Sequence, residues 1–255
     1  MLIYFSATGN TKHVVNEIAY AGEKIIEVGK QKDIKEVFIK NSDRLGILAP
    51  SHAGGLPANL KSFLEDLKIN FDKHPYTFYL GTCGGSTGYS SRQVRDIFIK
   101  KGLELDASFD IRMPDAFVLL TDVNNKEKIA QINEASDYEI SLIKKRIDNG
   151  VYGNFLDSKV AKFVGNVVQS AYGKFKTTKK FEVSDACISC RICANDCPVD
   201  AIKIIDGKPV WVEDTCLLCL RCYHACPTNA INYGRKTKGK GQYLHPDYNK
   251  NLNNV

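Results

Sequence analysis

Eight of the nine cysteines fall into two copies of one spacing, which constrains the chain more than any other feature. The first copy reads CISCRICANDCP and places Cys187, Cys190, Cys193 and Cys197; the second reads CLLCLRCYHACP and places Cys216, Cys219, Cys222 and Cys226. In a CxxCxxCxxxCP run the first three thiolates hold three irons of a 4Fe-4S cube, and the fourth ligates the other cube. Cluster one is therefore assigned Cys187, Cys190, Cys193 and Cys226. Cluster two is assigned Cys216, Cys219, Cys222 and Cys197. Crossed ligands draw two cubes together, which makes a short path for electrons.

Every ligand of the first run recurs 29 positions later, as do Pro198 at Pro227 and Ala201-Ile202 at Ala230-Ile231. This duplication resembles the bacterial two-cluster ferredoxin. The resemblance implies a small α+β domain with pseudo-twofold symmetry, too small to hold itself together without metal. Structural zinc is disfavoured, because zinc sites usually split four ligands into separated pairs, whereas here four cysteines share one run ending in CP.

A chain of 255 residues, 44% hydrophobic and 25% charged, predicts two domains. It has no apolar stretch of about 18 residues that could span a bilayer. The opening MLIYFSA is a strand pattern without a basic region and an apolar signal segment, so the expected location is the cytoplasm. The cysteine spacing agrees, since it assigns the thiols to metal in a reducing compartment rather than to disulfides.

Over the first 150 residues, apolar β-rich runs alternate with helical patterns. LIYFS, KIIEV, RLGILAP, YTFYLGTC and ASFDIRM read as strands, and helices are expected at about 11–21, 58–67, 90–101 and 126–148. Regular alternation implies a doubly wound parallel sheet covered on both faces. Ligands of such sheets sit at the carboxyl ends of the strands, where three unusual loops fall.

SATGNT, after the first strand, offers hydroxyls on Ser6, Thr8 and Thr11, a compact Gly9 and the free amides of a helix start, which suits a phosphate. It lacks the lysine of a triphosphate loop and the GxGxxG of a dinucleotide fingerprint. APSHAGGLPANL and GTCGGSTGYSS, after the third and fourth strands, are built from small residues that let backbone approach a flat ring. Together these loops resemble flavodoxin. The resemblance implies an α/β flavodoxin-like sheet of strand order 2-1-3-4-5, with FMN phosphate on Ser6, Ala7, Thr8, Gly9, Asn10 and Thr11. It implies one side of the isoalloxazine against Pro50, Ser51, His52, Ala53, Gly54 and Gly55, and the other against Thr82, Cys83, Gly84, Gly85 and Gly88.

With KKFEVSDACISC at the junction, GKPVW before the second run and KTKGKGQYLHPDYN near the end, nearly the whole chain resembles the fused flavodoxin-ferredoxin proteins of anaerobic bacteria and methanogenic archaea. The expected division is a flavodoxin-like FMN domain at 1–150, a basic amphipathic connector at 151–180, a two-cluster ferredoxin domain at 181–234 and a basic tail at 235–255. In the connector, Val160, Phe163, Val164, Val167, Val168, Ala171 and Phe175 share one helical face. A helix packed on a domain or at a homodimer contact is the reading taken, with attachment to an anionic membrane as the alternative.

The formal charge of +6 is offset by the clusters and a flavin phosphate, and the excess sits in 159–180 and the tail GRKTKGKGQ. These read as solvated or interaction surfaces, and nucleic acid is not expected as a partner. His52 stands where flavodoxins commonly place an aromatic residue; it could stack, donate a hydrogen bond or shuttle a proton, with Tyr89 as another ring partner. Cys83 reads as a small buried hydrophobe. His13, His74, His224 and His245 are scattered, with no metal-binding spacing.

These features point to an electron carrier coupling two-electron to one-electron redox proteins, such as ferredoxins or flavoprotein oxidoreductases. The alternative is an FMN-dependent reductase of a small acceptor fed by its own ferredoxin domain. An iron-sulfur sensor binding protein or nucleic acid is a weaker third reading, since no helix-turn-helix pattern accompanies the basic tail.

Overall fold

The computed structural model describes residues 1–31, 33–40, 44–156, 172 and 176–249. The connector at 157–171 and 173–175, with the apolar face expected there, lies outside the described residues. Strands β1 (Leu2–Tyr4), β2 (Ile25–Glu27), β4 (Arg44–Pro50), β6 (Tyr76–Cys83), β7 (Ala107–Arg112) and β8 (Gly153–Phe155) form one sheet in the order β2-β1-β4-β6-β7-β8. All its pairings are parallel. Its first five strands have the expected 2-1-3-4-5 order, and β8 extends the edge past the expected boundary at 150.

Alternation along the strands decides which helix goes where, because successive side chains point to opposite faces. Leu2, Tyr4, Leu48, Phe78 and Leu80 are buried with Val14, Val15 and Ile18 of α1 (Asn10–Ile18) and Ile140, Ile143 and Ile147 of α4 (Lys126–Asp148). Ile3, Phe5, Ile47 and Tyr79 face the other way, with Leu60 and Leu64 of α2 (Ala58–Asp66) and Val94, Ile97 and Phe98 of α3 (Ser90–Lys100). Asn125 caps α4 by accepting from the Lys128 amide at 2.9 Å. A separate parallel pair, β3 (Glu36–Ile39) with β5 (Lys68–Phe71), was not expected. Each strand is four residues long and flanked by charge, too short for a decisive pattern.

The C-terminal half pairs β9 (Phe181–Val183) with β12 (Ile231–Tyr233), and β10 (Ile202–Ile205) with β11 (Lys208–Trp211), both antiparallel. Phe181 stacks on Trp211 at 4.3 Å between ring centroids and joins the two small sheets. Short helical turns at Ile192–Asn195 and Arg221–His224 sit at the same place in the two cysteine runs.

The C-terminal tail docks on the first domain. Its segment 243–249 packs on α1 and on the SATGNT loop, with Tyr243, His245 and Asp247 buried. The reason is a set of specific bonds: Tyr243 Oη donates to Asn10 Oδ1 at 2.7 Å, the His245 amide to Thr8 O at 2.8 Å and Lys12 Nζ to Tyr248 O at 2.8 Å. Among the described residues, no helix is long and apolar enough to cross a membrane.

Candidate functional site

A cavity of about 610 Å³ opens at the carboxyl ends of β1, β4 and β6. Its wall contains Ser6, Ala7, Thr8, Asn10 and Thr11; Pro50, Ser51, His52, Ala53 and Gly54; and Thr82, Cys83, Gly84 and Gly85. Thr11 and Thr82 share a hydroxyl hydrogen bond of 2.9 Å, which fixes the first loop against the third. Ser6 Oγ accepts from the Gly9 amide at 3.1 Å, closing the turn that starts α1. Gly9, Gly55 and Gly88 do not line the cavity. Gly88 stands behind Gly54: a Cβ on it would lie 2.3 Å from Gly54 O, so two backbones meet where the sequence suggested a ring contact.

His52 lies in the wall, 6.1 Å from the Phe5 ring, and pairs backbone to backbone with Gly55. Burial, with a smaller contribution from Lys176, pulls its imidazole down to about 4. An imidazole held down in this way favours stacking or hydrogen bonding among the three roles open to it over shuttling a proton. Cys83 is buried as expected, and its thiol is pushed up to about 12 by burial first and Asp110 second. Tyr89 is not in the wall. Its amide instead donates to Gly54 O at 2.8 Å.

Sequence reasoning missed two contributors. The loop after β7 supplies Pro114, Asp115, Ala116, Phe117 and Leu120, and the C-terminal half supplies Tyr172, Leu218 and Cys219. MPDAFVLL follows a sheet strand as the other three loops do, and that position was the available signal. Phe117 meets Tyr172 edge-on at 6.1 Å, giving the wall an aromatic side. Loop hydroxyls, a helix start and a partly aromatic wall fit a flavin with a phosphate.

The cysteines fall into two pockets. Cys187, Cys190, Cys193 and Cys226 line one, and Cys197, Cys216, Cys219 and Cys222 the other. Each pocket thus joins three cysteines of one run to the last cysteine of the other, the crossed pattern of two cubes. Non-glycine residues in the left-handed region repeat with the sequence offset: Ser189 and Leu218, Arg191 and Leu220, Asp200 and Asn229. Alternating handedness turns successive amides inward into nests of the kind found at iron-sulfur sites. Amides of Ala201, Leu218 and Ala230 accordingly donate to the sulfurs of Cys197, Cys216 and Cys226, each at 3.3 Å. Burial pushes the thiols of Cys193 and Cys216 up to about 11, so these pockets hold thiolates when a cation compensates them.

His13 and His245, read as scattered, stack at 4.2 Å with 27° between their planes. His13 also pairs with Asp247 at 2.9 Å and Asp137 at 2.7 Å. The ligand atoms of His13, His245 and Asp247 lie within 4.8 Å of one another, and with both His13 nitrogens paired to carboxylates the cluster fastens the tail.

Two family models match the chain: a flavodoxin domain over residues 1–115 and a 4Fe-4S dicluster domain over residues 186–231. The chain is thus a flavodoxin-ferredoxin fusion, an iron-sulfur flavoprotein of electron transport. Among solved structures it is similar to the Fusobacterium nucleatum flavodoxin bound to flavin mononucleotide, at 21% identity and TM-score 0.31, over 41% of this chain and 66% of that one. It is also similar to a short-chain flavodoxin associated with a bacterial microcompartment, at 19% identity and TM-score 0.32, over 53% and 92%. Rubredoxin oxygen:oxidoreductase from Desulfovibrio gigas matches at 12% identity and TM-score 0.33, over 57% of this chain and 36% of that one. The chain spans just under two thirds of the first and about a third of the last, and the assignment rests on the two family models. No curated protein matches the chain.

Proposed function

We propose that the chain couples two-electron to one-electron redox partners through FMN and two 4Fe-4S clusters, with cluster two adjoining the flavin and cluster one facing the outside. The observation that carries this reading is the presence of Cys219 and Leu218 in the wall of the cavity formed by the three flavin loops. Bound in these sites, FMN supplies two-electron chemistry and the clusters one-electron chemistry, so that the two electrons of one donor leave as two single transfers. Ser6, Ala7, Thr8, Asn10 and Thr11 hold the phosphate, the loops at 50–54 and 82–85 flank the ring, and the crossed cysteines fix the two cubes side by side. Cys190, which is exposed, marks the face where a redox protein exchanges single electrons.

Phe117, Leu120 and Tyr172 on the cavity's apolar side support the second reading, reduction of a flat small acceptor at the flavin. Anaerobic redox titration with optical and EPR detection tests both. About one FMN and about eight irons with eight sulfides per chain are expected, with flavin-to-cluster transfer at a rate independent of protein concentration. Stoichiometric zinc without sulfide would overturn the cluster assignment. Turnover of a small acceptor without any protein partner would favour the reductase.

A further inference from the structure

Three successive carbonyls of the first flavin loop are all bonded from the C-terminal half of the chain. Arg221 Nη2 donates to Ser6 O, Arg221 Nε to Ala7 O at 3.0 Å and the His245 amide to Thr8 O at 2.8 Å. The remaining guanidinium nitrogen, Nη1, donates to Asp196 O at 2.9 Å, the carbonyl next to Cys197. Arg221 is 4% exposed, and its nearest counter-charge is Glu27 at 3.8 Å. Gly9 faces the same tail: a Cβ there would lie 2.9 Å from the Cβ of His245.

An anion at a helix start needs amides aimed at it and carbonyls aimed away. A guanidinium can occupy several carbonyls at once because its five N–H groups are fixed in a planar fork, which a lysine ammonium cannot reproduce. At the equivalent place in the first run stands Ile192, so nothing in the ligation repeat itself calls for an arginine. We propose that Arg221 is a positioning residue for the FMN phosphate, joining the phosphate loop to the cluster-two ligand Cys197 so that each site strengthens the other. This rests on the flavin and cluster reading above. By linkage the coupling is reciprocal: FMN protects cluster two as much as cluster two holds FMN.

The test uses anaerobically reconstituted full-length protein, with Arg221→Gln, Arg221→Lys and, as a control in the first run, Arg191→Gln. Dissociation constants are measured for FMN and riboflavin, together with the rates at which a chelator removes each cluster with and without FMN. Arg221→Gln is expected to weaken FMN at least tenfold and riboflavin less than threefold. Arg221→Lys, which keeps the charge but not the fork, is expected to fall between it and the wild type. In the wild type FMN should slow loss of cluster two and not of cluster one, and Arg221→Lys should lessen that protection. Unchanged FMN affinity in both Arg221 variants would overturn the proposal, and so would equal losses for FMN and riboflavin. Wild-type protein that binds neither flavin would overturn the flavin reading beneath it, an outcome distinguished by its appearance before any substitution is made.

Discussion

Between its ligands the first cysteine run carries Ile188, Ser189, Arg191 and Ile192, where the second carries Leu217, Leu218, Leu220 and Arg221. The backbone is the same in both, with left-handed residues at matching places. The surroundings are not. Ile188 is 62% exposed, while Leu217 is 5% exposed and belongs to the core on the α2–α3 face of the flavodoxin sheet. Ligation therefore dictates local conformation twice over, and packing against a neighbour dictates which residues fill the gaps. The leucine-rich run is the inner one, and the difference gives the duplicated motif a direction.

The largest expected effect breaks the pairing within this comparison. Cys226→Ala lies in the second run but should remove cluster one, and Cys197→Ala lies in the first but should remove cluster two. Each should leave about half the iron, with EPR showing which cluster survives. A Cys226→Ala protein that keeps cluster one and loses cluster two would contradict the crossed assignment.

A smaller effect sharpens the contrast of environments at one repeat position. Leu217→Ala should cost about 2–5 kcal/mol by emptying a packed site, and Ile188→Ala should stay within about 0.5 kcal/mol, as exposed substitutions do. Anaerobic denaturant unfolding of the two variants measures the difference. Equal costs would mean that the second run is not held by the flavodoxin core.

Much of this was legible from the chain alone, for reasons that differ by element. The alternating strands and four helices follow from periodicity summed over long segments, the sheet order from the resemblance to flavodoxin, and the eight ligands from a spacing with few other uses. Phe117 and Leu120 were not legible because MPDAFVLL carries no Gly-rich or hydroxyl signature. The tail's role was hidden because GRKTKGKGQ reads as solvated charge, although Lys240 within it bonds the Val118 and Thr121 carbonyls and Tyr243 and Asp247 after it are buried. Arg221 could have been found by asking why the repeat breaks there. Its partners, the carbonyls of Ser6 and Ala7, lie more than two hundred residues away in sequence and carry no side-chain signal at all.

The smallest expected effect reads the seam between the second run and the flavin loops, where Lys176 acts on His52. His52 has a free value of 6.5 and is pulled to about 4 in the folded chain, by burial first and Lys176 second. The native protein thus refuses a proton that the unfolded chain accepts between those values. The stability tied to neutral His52 is present above about pH 6.5 and is lost as pH falls towards 4, with a slope of at most about 1.4 kcal/mol per pH unit. His52→Gln removes this titration and should flatten the wild-type dependence by that amount between pH 7 and pH 5.5. Taking the difference between the two proteins cancels the acid sensitivity of the clusters, which both share. Parallel curves would show that His52 takes its proton as freely in the native chain as in the unfolded one, and the seam would then be open to water rather than closed by the second run.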